Sequence, residues 1–186
     1  MNGEYKMKNT YGGGSKTNEN GLGFEKKVDI KEAINNQSLY NVNGNTIELN
    51  GTFIGEIYEK YSLYKNLIEP VYGIDYKTRI SKRLLPDSAV LVDNVLYIIE
   101  KKFQEQAGSV DEKLQTCDFK KSQYERLFKG TGITIEFYYV LSEWFKSPQY
   151  IDVFSYIERV GCKYFIVDLP LEEIGLKVKR LPHLLT

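Results

Sequence analysis

Three polar residues near the middle of the chain have side chains that could together bind a metal ion and act on a phosphate: Asp87, Glu100 and Lys102. Carboxylate oxygens are ligands that Mg²⁺ prefers, and this ion usually takes one or two carboxylates together with water and phosphate oxygens. A lysine beside the ion could orient a water molecule and balance the charge that builds up on a phosphate. These residue types therefore suggest metal-assisted hydrolysis of a phosphate ester.

A predicted β-hairpin over residues 84–103 would position these side chains. Residues 88–92 and 95–99 form two apolar runs. Asp93 and Asn94 stand between the runs and favour a tight turn, because both residue types tolerate the left-handed backbone conformation that such a turn needs. The pattern therefore predicts two antiparallel strands joined by a short turn.

Pairing within this hairpin would place Asp87 beside Glu100 and Lys102. Side chains alternate faces along a strand, so Glu100 and Lys102 point the same way. Asp87 stands just before the first apolar run, at the end of the hairpin opposite the turn. We therefore expect two carboxylates and a lysine to meet at one edge of an apolar sheet. A surface hairpin that ends in an ordinary solvated Glu–Lys pair is the alternative.

The order of these motifs resembles the PD-(D/E)xK nuclease superfamily, and within it the type II restriction endonucleases. The residues that carry the resemblance are PD at 86–87 and EKK at 100–102. The segment GSVDEK at 108–113 is similar to one that several restriction endonucleases have just after the catalytic strand. The order of elements is similar over residues 24–168, whereas individual residues match only over 86–113.

This resemblance implies a restriction-endonuclease-like fold, which is an α/β fold with a central mixed β-sheet flanked by helices. It implies Mg²⁺-dependent cleavage of double-stranded DNA at a specific short site, leaving 5′-phosphate and 3′-hydroxyl ends. In this scheme Asp87 and Glu100 hold the metal, and Lys102 positions the attacking water. The family also implies a homodimer, because two active sites related by two-fold symmetry match a palindromic site.

Glu25, Gln104 and Lys113 are candidates for supporting roles. Glu25 lies in the first turn of a predicted helix, where similar families have a glutamate near the metal, but the helix dipole alone also favours an acid there. Gln104 follows Lys102 on the same face if the strand extends that far, and would support the metal-bound water or contact the DNA backbone. A plain strand-end amide is the alternative. Lys113 lies near a predicted helix N-terminus that could face a phosphate.

Four basic residues just before the hairpin form the best basic patch in the chain: Lys77, Arg79, Lys82 and Arg83. Their position suits contacts to DNA phosphates near the active centre, although a solvated surface stretch would have the same composition. The formal net charge of zero gives no overall attraction to nucleic acid, because DNA affinity depends largely on lysine and arginine.

The remaining pattern predicts one domain over residues 21–186, preceded by a flexible arm at 1–20. Helices are predicted at 22–39, 51–67, 109–128 and 151–160. Strands outside the hairpin are predicted at 46–49, 133–141 and 163–167. The strand at 133–141 should be parallel to the strand of Glu100, because a helical crossover separates them.

Composition argues against several classes of protein. The chain has one histidine and two cysteines; Cys117 and Cys162 lack CxxC spacing, which argues against a zinc site and predicts two small buried thiols. No stretch is long and apolar enough to span a membrane, and the N-terminus lacks the apolar region of a signal peptide. A cytoplasmic protein with no membrane partner is the expectation.

Three functions are compatible with these observations. The first is a type II restriction endonuclease. The second is a structure-selective or repair nuclease of the same superfamily, because a short chain has few residues beyond the core fold with which to recognise a base sequence. The third belongs to another class, a non-catalytic DNA-binding or protein-interaction module, in which Asp87, Glu100 and Lys102 would be dispensable.

Overall fold

The structure is a computed structural model that describes residues 21, 23, 24, 26, 28–105 and 110–177, with the backbone alone at 110 and 111. The predicted arm at 1–20 and the candidate Glu25 lie outside these residues. Within the described part of the chain, no helix combines the length and the apolar character needed to cross a lipid bilayer.

A mixed β-sheet runs through the described residues, and its seven strands lie side by side in chain order. The strands are β1 Tyr40–Asn43, β2 Thr46–Leu49, β3 Thr52–Tyr58, β4 Ser88–Val92, β5 Val95–Lys102, β6 Thr134–Leu141 and β7 Lys163–Ile166. Neighbours from β1 to β5 are antiparallel. The β5–β6 and β6–β7 pairs are parallel, so the parallel pairing predicted for the strand at 133–141 and the strand of Glu100 is confirmed.

Helices cover both faces of this sheet. They are α1 Ile30–Asn35, α2 Val110–Leu114, α3 Cys117–Leu127 and α4 Ile151–Arg159. We call one face the α3 face; its strand residues Ala89, Leu96 and Ile98 are buried against α3 and α4. We call the opposite face the α1 face; it carries Val90 and Ile99 and packs against α1 and a segment after β7. The predicted α/β class with a mixed sheet flanked by helices is confirmed.

The helix predicted at 51–67 is wrong. Asn50 and Gly51 have positive φ angles of 51° and 76° and form a tight turn, so the chain returns as β3 along β2. The apolar spacing that predicted a helix comes from β3 together with a later π-helical turn, Tyr64–Ile68. At Gly55 the β4 backbone lies so close that a Cβ atom would be 2.5 Å from the Leu91 carbonyl oxygen.

Two other predicted helices are interrupted. The Asp29 carboxylate accepts a hydrogen bond from the Glu32 N–H group at 3.0 Å and so begins α1 inside the range 22–39. The helix predicted at 109–128 is divided into α2 and α3, since Thr116 has φ −95° and ψ 3°. Its hydroxyl bonds the Lys113 carbonyl at 2.7 Å. Ser109, the first residue of that predicted helix, lies outside the described residues.

Candidate active site

The β4–β5 hairpin has the predicted turn. Asp93 and Asn94 have φ angles of 48° and 64°, both in the left-handed region. Ser88 pairs with Ile99, and one further step in this register sets Asp87 opposite Glu100. The Asp87 Oδ2 atom accepts a hydrogen bond from the Lys101 N–H group at 2.8 Å. The hairpin therefore ends with the carboxylate of Asp87 fixed to the strand that carries Glu100.

Alternation along β5 places Glu100 and Lys102 on the α3 face. Leu96 and Ile98 precede them at two-residue intervals and are buried on that face. Helix α3 packs here through Cys117, Tyr124 and Leu127, all fully buried. The two polar residues therefore continue an apolar row to its end, where the strand and the helix meet.

Glu100 is the centre of a buried ion cluster. Its residue exposure is only 7%, and one carboxylate oxygen, Oε2, accepts hydrogen bonds from Lys102 Nζ and Lys120 Nζ, both at 2.8 Å. Burial by itself would raise the pKa of Glu100, but the charges and hydrogen bonds of the two lysines outweigh burial and leave this pKa below its usual value. Glu100 is therefore ionised at neutral pH.

Lys120 belongs to this cluster although sequence reasoning did not single it out. It lies on α3 three residues after Cys117 and four before Tyr124, which are both core residues. A lysine in line with core residues at helical spacing faces the core, and that spacing was the available signal. Which strand residue it would meet depended on the packing of α3 against β5.

Tyr124 has a buried hydroxyl that interacts electrostatically with both carboxylates. Its side chain is fully buried, and its hydroxyl has no hydrogen-bond partner among the described residues. Burial raises the pKa of Tyr124 well above the ordinary value, and the nearby negative charges of Glu100 and Asp87 contribute in the same direction. The phenol therefore lies within electrostatic reach of both acids.

The donor atoms suit a hard divalent cation. Asp87 and Glu100 each have one carboxylate oxygen held by the protein; within the described residues, Asp87 Oδ1 and Glu100 Oε1 accept no hydrogen bond. The part of the chain that is described has no group of three or more His, Cys, Asp or Glu side chains placed to share a metal. A cation here would complete its coordination with water or phosphate oxygens, as Mg²⁺ commonly does.

Gln104 and Lys113 are not part of the ion cluster. Gln104 was expected to share a face with Lys102 only if the strand extended as far as Gln104. Strand β5 ends at Lys102, so this expectation does not apply. Gln104 is buried, and its backbone exchanges hydrogen bonds with the Ser142 hydroxyl, which ties the end of β5 to the end of β6. Lys113 is exposed, while its carbonyl accepts a bond from the Tyr139 hydroxyl.

Two of the four predicted DNA-binding residues have contacts within the fold. Arg79 donates to the carbonyl oxygens of Leu127 and Lys129 at the end of α3. Arg83 pairs with Glu69 and lies over the Tyr64 and Tyr76 rings.

The lysines of that patch differ from the arginines. Lys77 and Lys82 are exposed, and in the described residues neither forms an ion pair. Lys77 and Lys82 could therefore bind a phosphate without breaking an ion pair with any described residue.

Comparison of the chain with protein-family models, curated proteins and solved structures found no match. A functional proposal for this protein therefore rests on its sequence motif and on the geometry of the site.

Proposed function

We propose that the protein is a Mg²⁺-dependent endonuclease with a restriction-endonuclease-like fold, cleaving double-stranded DNA at a short specific site. One observation carries this proposal: the hairpin register sets Asp87 opposite Glu100, and an ammonium group lies 2.8 Å from the Glu100 carboxylate. Two acids and an amine at neighbouring strand ends are the groups needed for metal-assisted hydrolysis of a phosphodiester. The sequence motif and the donor atoms favour the same chemistry.

The residues have separate roles in this reaction. Asp87 Oδ1 and Glu100 Oε1 would hold the cation, which when bound makes a water molecule more acidic and polarises the phosphate. Lys102 would orient the attacking water and offset negative charge on the phosphate. The water oxygen bonds to phosphorus while the bond from phosphorus to the 3′-oxygen breaks. Solvent takes the proton of the water and returns one to the 3′-oxygen, which leaves a 5′-phosphate and a 3′-hydroxyl.

Specific cleavage of a palindrome would require two such sites, so we propose that the chain acts as a homodimer. A structure-selective nuclease of the same chemistry is the second candidate. Arg79 and Arg83 have intramolecular contacts, which leaves less of the predicted basic patch for binding a long duplex, and this favours the second candidate.

Cleavage of defined DNA tests the proposal. The full chain is incubated with phage DNA, and separately with branched DNA, in Mg²⁺ with or without a chelator, and fragment ends are sequenced. We expect discrete fragments with 5′-phosphate ends that disappear with chelator. Lys102→Met should slow cleavage roughly 100-fold or more, whereas Lys121→Met is the matched control, since Lys121 bonds the Gly161 carbonyl outside the cluster.

The outcomes separate the candidates. Fixed fragments from phage DNA support a site-specific enzyme, and cleavage of branched DNA alone supports the structure-selective enzyme. Absence of cleavage with Mg²⁺ and with Mn²⁺ on both substrates would contradict both nuclease proposals, as would cleavage that is unaffected by Lys102→Met.

A further inference from the structure

We propose that Lys120 is a phosphate-binding residue that neutralises Glu100 in the cation-free protein and moves to the DNA phosphate when a divalent cation binds. This inference rests on the proposed nuclease function. It assigns to α3 a direct part in a site that the sequence motif places on the hairpin alone.

The hydrogen bonds indicate which lysine is free to move. Lys102 Nζ has a second acceptor, the Lys101 carbonyl oxygen at 3.2 Å, and lies 6.0 Å from the Tyr139 ring centre. Lys120 Nζ bonds Glu100 at 2.8 Å and, within the described residues, has no other acceptor. Loss of the Glu100 contact therefore leaves Lys102 partly held but leaves the ammonium group of Lys120 with no acceptor among the described residues.

The surroundings of Lys120 allow its side chain to move while α3 stays in place. The helix is anchored by Cys117, Tyr124 and Leu127, all fully buried. The Lys120 side chain keeps 26% of its surface exposed, compared with 10% for Glu100 and 18% for Lys102. A flexible four-carbon stem on a fixed helix can carry the ammonium from the carboxylate to a ligand at the solvent side of the cluster.

Charge balance gives a reason for the movement. Asp87 and Glu100 carry two negative charges, and Lys102 and Lys120 carry two positive ones, so the cation-free cluster is neutral. A divalent cation beside Glu100 weakens the hold of this carboxylate on both ammonium groups and leaves an excess of positive charge. A phosphodiester supplies negative charge, and the ammonium of Lys120 then has a new partner within a water-poor site.

The test is whether one substitution at Lys120 has opposite effects on the affinity for Mg²⁺ and the affinity for DNA. Binding of Mg²⁺ without DNA is measured by calorimetry, and binding of a DNA duplex in Ca²⁺ is measured separately, for wild type, Lys120→Met and Lys121→Met. We expect Lys120→Met to bind Mg²⁺ about tenfold more tightly, because one charge-assisted hydrogen bond no longer has to be broken. The same variant should bind DNA more weakly, and Lys120→Arg should restore DNA binding.

Other outcomes would overturn the inference. If Lys120→Met lowers the affinity for Mg²⁺, or leaves both affinities unchanged, Lys120 has only a structural role. Lys120→Gln keeps a hydrogen-bond donor toward Glu100, and it replaces the methionine variant if that variant fails to fold. If the wild type cleaves DNA, and Lys120→Met binds Mg²⁺ and DNA with the same affinities as the wild type, only this inference is contradicted. A wild type that neither binds Mg²⁺ nor cleaves DNA contradicts the proposed function as well.

Discussion

At the scale of single residues, the cluster depends on the carboxylate of Glu100. Two ammonium groups share its Oε2 atom, and all three side chains are mostly removed from solvent. Removing one partner of a buried ion pair costs more than the pair contributes, because the remaining charge loses its compensation without regaining water. Glu100 is therefore expected to matter for stability as well as for chemistry.

We predict that Glu100→Ala lowers the free energy of unfolding by about 3 kcal/mol, since it leaves two lysine charges facing each other in a largely buried place. Urea unfolding at pH 7 measures this change. Glu173→Ala is the control, because the Lys163–Glu173 pair has the same 2.8 Å distance but is about half exposed. Exposed pairs contribute about 0–1 kcal/mol. Equal losses in the two variants would contradict the account.

The lowered pKa of Glu100 predicts a pH dependence. A carboxylate whose pKa is lower in the folded than in the unfolded state stabilises the fold at pH values above its ordinary pKa, here 4.5. This contribution is lost as the pH falls through the pKa of the folded state. The stability difference between wild type and Glu100→Gln should therefore be constant near neutral pH and shrink below about pH 4.5. A difference that grows in acid would contradict the ion cluster.

At the scale of elements, the turn between β4 and β5 sets the distance between the two acids. The turn residues Asp93 and Asn94 both have positive φ angles, which match the twist of a two-residue hairpin. A shift of one residue in register would turn every β5 side chain to the other face. Glu100 would then leave the α3 face and lose Lys120.

Substitution of Asn94 tests this dependence. Asn94→Gly should preserve or raise the melting temperature, because glycine adopts a positive φ without steric cost. Asn94→Ala should be less stable than Asn94→Gly by roughly 1 kcal/mol, the usual cost of a left-handed conformation for a residue with a Cβ atom. Thermal unfolding of the two variants gives the comparison, and equal stability would show that the turn does not fix the hairpin.

At the scale of the whole molecule, the sheet joins an antiparallel half to a parallel half at β5. The strand with Glu100 and Lys102 thus has the hairpin on one side and the parallel strand β6 on the other. The edge formed by the carboxyl ends of parallel strands is where α/β proteins commonly bind ligands. The position of the cluster at the end of β5 agrees with that rule.

The parts of this fold that local chemistry determines were predictable from sequence. Asp93-Asn94 indicated the hairpin turn, and the β-branched and aromatic run at 133–141 indicated β6. The strand β3 was missed because Phe53 and Ile54 are adjacent apolar residues, so the sequence of β3 lacks the alternation of apolar and polar residues that identifies a half-buried strand. Lys120 was missed because its contact with Glu100 joins residues on separate elements through tertiary packing.

Anomalous diffraction from crystals of the protein soaked in Mn²⁺ would test the shared cation site most directly. We predict one peak within about 2.2 Å of a carboxylate oxygen of both Asp87 and Glu100, with the Lys120 ammonium displaced from Glu100. A peak that touches only one of these acids, or no peak at saturating Mn²⁺ with both lysines still on Glu100, would contradict a shared cation site.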